Sequence, residues 1–212
     1  MDDPPGPRRF LTTRWSLVAA AGPGHAREAL EELCRTYWYP LYAYVRSRGH
    51  TPDEAQDLTQ AFFAKLLETG GIDSADREKG RFRSYLLGAM KHFLTSSWRH
   101  DQALKRGGAV RILELDALNP EARFTAGSSP GPGPEKRFDL EWARTVTGQA
   151  LHALQIEMEQ AGKGIQFQAL KGSLTGETSL DRPALAARLG MSEGGLKVAV
   201  HRLRQRYRRL IR

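Results

Sequence analysis

Apolar residues recur at helical spacing along almost the whole chain. A first short helix is predicted over about Thr13 to Ala21. A second is predicted from Ala26 to Arg48, with Leu30, Leu33, Cys34, Tyr37, Leu41 and Val45 on one stripe. Pro40 falls inside it, so a kink or break is expected near Tyr39. The third helix has a strong start signal in Thr51-Pro52-Asp53-Glu54, which sets a cap, a first-turn proline and a reciprocal acid in order. It continues through Ala55, Leu58, Phe62 and Leu66 to Gly70-Gly71. The fourth helix, about Phe82 to Arg99, buries Phe82, Tyr85, Leu86, Ala89, Met90, Phe93, Leu94 and Ser97. Its other face carries Arg83, Lys91, His92, Thr95, Ser96 and Arg99.

From Gly107 to Pro134 the periodicity stops, and the segment ends in alternating Gly, Ser and Pro. It reads as a flexible linker. Val110, Ile112, Leu113 and Leu115 within it are suited either to local packing or to a partner's groove. Beyond it, Phe138, Trp142, Val146, Ala150, Leu154 and Met158 recur every fourth residue and predict a long helix, stopped by Gly162-Lys163-Gly164. A short helix follows around Phe167 and Leu170. The expected fold is therefore all-α, with two small helical domains at 1–106 and 136–212 and a linker over 107–135.

The last part of the chain has the design of a helix-turn-helix. A short helix, Pro183 to Leu189, presents Leu185, Ala186 and Leu189 inward. Gly190 can take the left-handed conformation of a tight turn, Met191 can plug it, and Ser192 can cap the next helix. That helix buries Leu196, Val200, Leu203, Tyr207 and Leu210, and from Lys197 to Arg212 it holds no acidic residue. One stripe locks such a helix to its partner while its first turns enter the major groove. Gly194 and Gly195 leave the backbone open to phosphate, and Lys197, His201 and Arg202 are placed for bases or phosphates.

Composition agrees without deciding the matter. The 212 residues carry a formal net charge of +8, which favours polyanion partners but also suits any solvated surface. One cysteine, Cys34, excludes an intrachain disulfide and fits a cytoplasmic setting. On its apolar stripe it reads as a packed thiol rather than a nucleophile. The N-terminal Met1 to Pro5 lacks the order of a signal peptide, and no apolar run approaches a membrane span. The six histidines are scattered, no zinc or phosphate-loop motif is complete, and no cofactor, metal site or enzymatic activity is expected.

Two stretches resemble a known family. Ala184 to Arg204, reading ALAARLGMSEGGLKVAVHRLR, resembles the promoter-reading domain of bacterial sigma factors of the extracytoplasmic-function class, within the sigma-70 family. Asp57 to Phe63, reading DLTQAFF, resembles that family's polymerase-docking helix. The resemblance spans about Ala29 to Arg212 and implies a function. Asp57, Gln60 and Phe63 would dock on core RNA polymerase, with Phe63 exposed because one stripe cannot easily bury both it and Phe62. Lys91, His92, Thr95, Ser96 and Arg99 would hold the opened −10 promoter element, with Arg81 and Arg83 on phosphates. Ser192, Gly194, Gly195, Lys197, Val198, His201, Arg202 and Arg204 would read the −35 element as duplex. His92, Ser96, Gly195 and Val198 depart from the residues common in the family, and Val198 is suited to a thymine methyl.

The implied partners are promoter DNA and core polymerase, with an anti-sigma factor left open. Two other readings stand beside this one. A dimeric helix-turn-helix regulator explains the C-terminal half equally well, but not Asp57 to Phe63 or the basic fourth helix. A basic interaction module for an acidic protein would be separated by competition with DNA.

Overall fold

The computed structural model describes residues 26–69, 71, 81–100, 119–126, 133–176 and 181–211, with side chains from 32 onward and, in the third helix, as far as 96. The helix expected over Thr13 to Ala21, the apolar residues Val110 to Leu115, and the side chains of Leu30, Ser97 and Arg99 lie outside the described residues. The fold is all-α: α1 Ala26–Ser47, α2 Pro52–Glu68, α3 Phe82–His100, α4 Pro120–Ala126, α5 Pro134–Gln160, α6 Gly164–Leu170, α7 Gly172–Thr175, α8 Arg182–Arg188 and α9 Glu193–Ile211. Two compact units divide between Thr145 and Val146.

In the first unit α1 is the central element. Every residue from Tyr37 to Val45 is buried, so the single stripe read from the sequence understates it. A helix apolar on all sides must be enclosed on all sides. On one side Tyr37 meets Phe82 of α3 edge-on at 5.5 Å between ring centroids. Phe62 of α2 meets Phe93 of α3 in the same way at 5.7 Å. The helix runs through Pro40 without the expected break. The apolar packing of the buried residues on both flanks of Pro40 offsets the cost of the hydrogen bond it cannot make. α2 begins as its sequence requires: the Glu54 amide donates to Thr51 Oγ1 at 3.3 Å, and the Thr51 amide to the Glu54 carboxylate at 2.9 Å.

The segment read as a linker supplies the other side. Asn119 starts α4, its Oδ1 accepting from the Ala122 amide at 3.1 Å. α4 is tied to α1 by Glu121, which accepts from Arg46 Nη2 at 2.7 Å and from the Tyr42 hydroxyl at 2.8 Å. The Arg123 guanidinium lies 3.7 Å over the Tyr39 ring, and Arg46 stacks on Phe124 at 4.9 Å. α4 has no buried residue of its own, which is why no apolar period marked it. Polar and cation–π contacts hold it instead.

The first turns of α5 belong to this unit as well. Phe138, Trp142 and Glu141 are buried there, and Glu141 pairs with Arg123 at 3.1 Å and Arg144 at 2.7 Å. The border between the two units therefore falls inside α5.

The second unit closes around Leu154 and Met158 of α5, Phe167 and Leu170 of α6, Leu185 and Ala186 of α8, and Leu196 and Leu203 of α9. Gly162, at φ +68°, ends α5, with the Lys163 amide returning to the Met158 carbonyl at 2.8 Å. Asp181 caps α8 through the Ala184 amide at 3.2 Å. Val200 and Tyr207 are half-buried, but Leu210, expected inside, is 39% exposed. The fully buried core ends at Leu203, Tyr207 still packs against it, and Leu210 lies one turn beyond.

Candidate nucleic-acid interface

In the second unit α8 and α9 are joined by a tight turn. Gly190 adopts φ +63°, where a Cβ would be strained, and Met191 is packed against the core. Ser192 Oγ accepts from the Gly195 amide at 3.1 Å, starting α9. With Leu196 and Leu203 inward, Gly194, Lys197, Val198, His201 and Arg202 share the opposite, exposed face. Their spacing of three, one, three and one follows the helix period. Val198 is 48% exposed, an apolar side chain set among cations.

A Cβ at Gly194 would meet nothing closer than 3.9 Å, so packing inside the chain does not require glycine there. At Gly195 a Cβ would press on Ser192 Oγ at 3.3 Å, the atom that caps the helix.

Arg204 is set apart from the group. Its Nε and Nη2 donate to the Ser173 carbonyl at 3.3 and 3.0 Å, which ties α9 to α7. Arg206 pairs with Glu157 at 2.6 Å. Basicity along α9 therefore overstates its free cations.

In the first unit the exposed face of α3 is formed by Ser84, Gly88, Lys91, His92 and Thr95. Ser96 is half-buried, and Arg99 lies outside the described side chains. The Thr95 and Ser96 hydroxyls donate to the Lys91 and Phe93 carbonyls at 2.9 Å, leaving their oxygens as acceptors toward solvent. Arg81 precedes the helix and is half-buried.

Arg83 is not on that face. Its side chain is 15% exposed, pairs with Asp139 at 3.2 Å and lies 4.3 Å over the Trp142 ring. Burial lowers its pKa from the ordinary arginine value, and Asp139 acts against the shift. Lys91 pairs with Glu135 at 2.9 Å, which holds the Glu135 carboxyl below its usual range. The sequence reading left out both acids, because it placed Glu135 in the linker and Asp139 in the other domain. The legible signal was their four-residue spacing, with Trp142 three residues further on.

On α2, Asp57 is exposed and Gln60 half-buried, but Phe63 is 4% exposed, not presented to a partner. It meets Phe62 edge-on at 5.6 Å. The inference that one stripe could not bury both rings fails because α1 and α3 flank α2 on two sides.

Among the described residues no group of three or more His, Cys, Asp or Glu is placed to hold a metal ion, and no helix is long and apolar enough to cross a membrane.

Comparison with curated proteins gave no significant match, and comparison with solved structures gave none either. Residues 33–103, which run from α1 past the end of α3, match the family model of sigma-70 region 2. Over these residues, about a third of the chain, the protein is similar to sigma-70 region 2, a region of the sigma-70 family of non-enzymatic transcription initiation factors.

Proposed function

We propose that this protein is a sigma factor of the extracytoplasmic-function class, which acts in the cytoplasm by binding core RNA polymerase and directing promoter-specific initiation. One observation carries the reading. The same chain holds a stretch similar to sigma-70 region 2 and a separate helical unit whose last helix exposes Lys197, Val198, His201 and Arg202 behind a left-handed Gly190 turn. We read that second unit as the helix-turn-helix expected from the sequence.

In this reading α9 enters the major groove of the −35 element. Arg202 and Lys197 are the donors for base edges, His201 a further contact, and Val198 the apolar contact for a thymine methyl. The bare backbone at Gly194 admits a phosphate to the helix start, where the amides favour an anion. α3 meets the opened −10 strand through Lys91, His92, Thr95 and Ser96, as cations and hydroxyls suit single-stranded DNA. Asp57 and Gln60 form the polymerase-facing side of α2. Arg204 serves mainly to hold its unit together, and Arg83, beside the exposed face of α3, is the flanking cation for a phosphate.

The test is in vitro transcription with added core RNA polymerase on a library of promoter fragments. Initiation at a defined subset of fragments is expected. Binding to duplex DNA without polymerase-dependent initiation would overturn the reading in favour of a stand-alone regulator.

A further inference from the structure

Both acids that meet α3 come from one face of α5. Glu135 and Asp139 are one helical turn apart, with Trp142 on the same face. They pair in reverse order along α3, Glu135 with Lys91 and Asp139 with Arg83, so the two helices run antiparallel at this contact. In each pair the carboxylate is the more exposed partner: Asp139 is 58% exposed against 15% for Arg83, and Glu135 50% against 45% for Lys91. Asp139 thus sits on the solvent side of Arg83, and Glu135 and Lys91 are about equally open to solvent, so an incoming phosphate can reach both cations.

The cations have support of their own. Arg83 lies 4.3 Å over the Trp142 ring, a contact that does not depend on its carboxylate partner. Lys91 stands on the exposed face of α3 beside His92 and Thr95. The Lys91–Glu135 pair is half-exposed on both sides and contributes little to stability, so it can be exchanged at small cost to the fold; at the more buried Arg83 the Trp142 contact remains when Asp139 leaves.

We propose that Glu135 and Asp139 form a displaceable acidic cover on α3, an autoinhibitory contact that competes with DNA phosphates for Lys91 and Arg83. The cover rests on the reading of α3 as a DNA-contacting helix. It keeps the free protein weak on single strands and is exchanged for phosphate when the strand is presented. The carboxylates act as built-in phosphate substitutes, and the same two cations serve both states.

The experiment uses the full chain and a fluorescein-labelled single-stranded oligonucleotide of mixed sequence, titrated over a range of salt. Glu135→Gln with Asp139→Asn is compared with wild type and with Asp53→Asn plus Glu68→Gln, which makes the same charge change on α2. Freeing two cations adds two phosphate contacts, and each steepens the slope of log affinity against log salt by about 0.7. The expected result is tighter binding at low salt by several-fold and a slope steeper by about 1.4 for the cover variant alone. Glu135→Gln by itself, at the more exposed pair, should show half the change in slope with unaltered thermal unfolding.

Equal slopes for the cover and control variants, in a protein that supports promoter-dependent transcription, would overturn the cover and leave the functional reading standing. Failure of transcription and of DNA binding in every variant would overturn both.

Discussion

Glu121 of α4 accepts from one edge of the Arg46 guanidinium of α1 through both carboxylate oxygens, at 2.9 Å from Nε and 2.7 Å from Nη2, across 75 residues of sequence. The Tyr42 hydroxyl donates to the same carboxylate at 2.8 Å, and Arg46 also donates to the His50 carbonyl. One carboxylate therefore anchors a short helix that has no buried residue of its own.

Glu121→Ala is expected to destabilise the first unit by about 2 kcal/mol, between the values for exposed and for fully buried pairs. The side chains of Arg46 and Glu121 are 17% and 29% exposed, which places them in that middle range. The loss should fall first on α4. Hydrogen exchange over residues 120–126 should quicken before the amides of α1 do. Equal protection of α4 in the variant would show that the Arg123 and Phe124 contacts suffice.

The tyrosines of α1 set an alkaline limit. Burial pushes the hydroxyls of Tyr37 and Tyr39 up to about 12, from 10.0 for a free tyrosine. The folded values are raised, so this contribution is complete below pH 10 and is lost as pH rises through 12. Unfolding midpoints should fall over that window, with phenolate absorbance appearing together with loss of helix. On the acid side the Arg46 hydrogen bond holds the Glu121 carboxyl below its ordinary 4.5. Its contribution is present above that value and lost as pH falls through the lower folded one. Early release of α4 in acid should alter Trp38 fluorescence, because Trp38 stacks on Tyr42 at 5.3 Å.

On α2 the docking role and the packing role separate by residue. Phe63→Ala removes a buried ring and should cost about 3–5 kcal/mol of stability. Asp57→Ala with Gln60→Ala changes only exposed and half-buried positions and should leave the unfolding midpoint nearly unchanged. In the proposed function that double variant loses affinity for core polymerase in a pull-down. Undiminished capture would remove Asp57 and Gln60 from the docking surface.

Arg202 and Arg204 should likewise part company. Arg202→Ala is expected to weaken duplex promoter binding by about 1–3 kcal/mol at unchanged stability, the value of a bidentate base contact. Arg204→Ala removes two donors from the Ser173 carbonyl and should cost about 1 kcal/mol of stability, with a smaller effect on DNA. Fluorescence titration beside thermal unfolding of both variants checks the pair. Equal loss of DNA affinity in the two would place Arg204 among the DNA contacts.

What the sequence determined by itself is whatever depends on neighbours a few residues away. The Thr51–Glu54 capping box, the left-handed Gly190, the Ser192 cap and the inward Leu196 and Leu203 were legible for that reason. Helix period and cap chemistry are local, and they set the face that α9 exposes.

The tertiary structure decided what each side chain meets. Residues 119–126 have no apolar period, and distant partners, Arg46, Tyr42 and Tyr39 on α1 and Glu141 on α5, make them a docked helix. Phe63 became core because two helices flank α2, which no single stripe reveals. Arg83, Lys91 and Arg204 read as free cations until Asp139, Glu135 and the Ser173 carbonyl were brought to them. Charge is a property of the residue, but its availability depends on partners that only folding supplies. The period of a helix marks which side is apolar; the packing of neighbours decides which polar groups remain for a ligand.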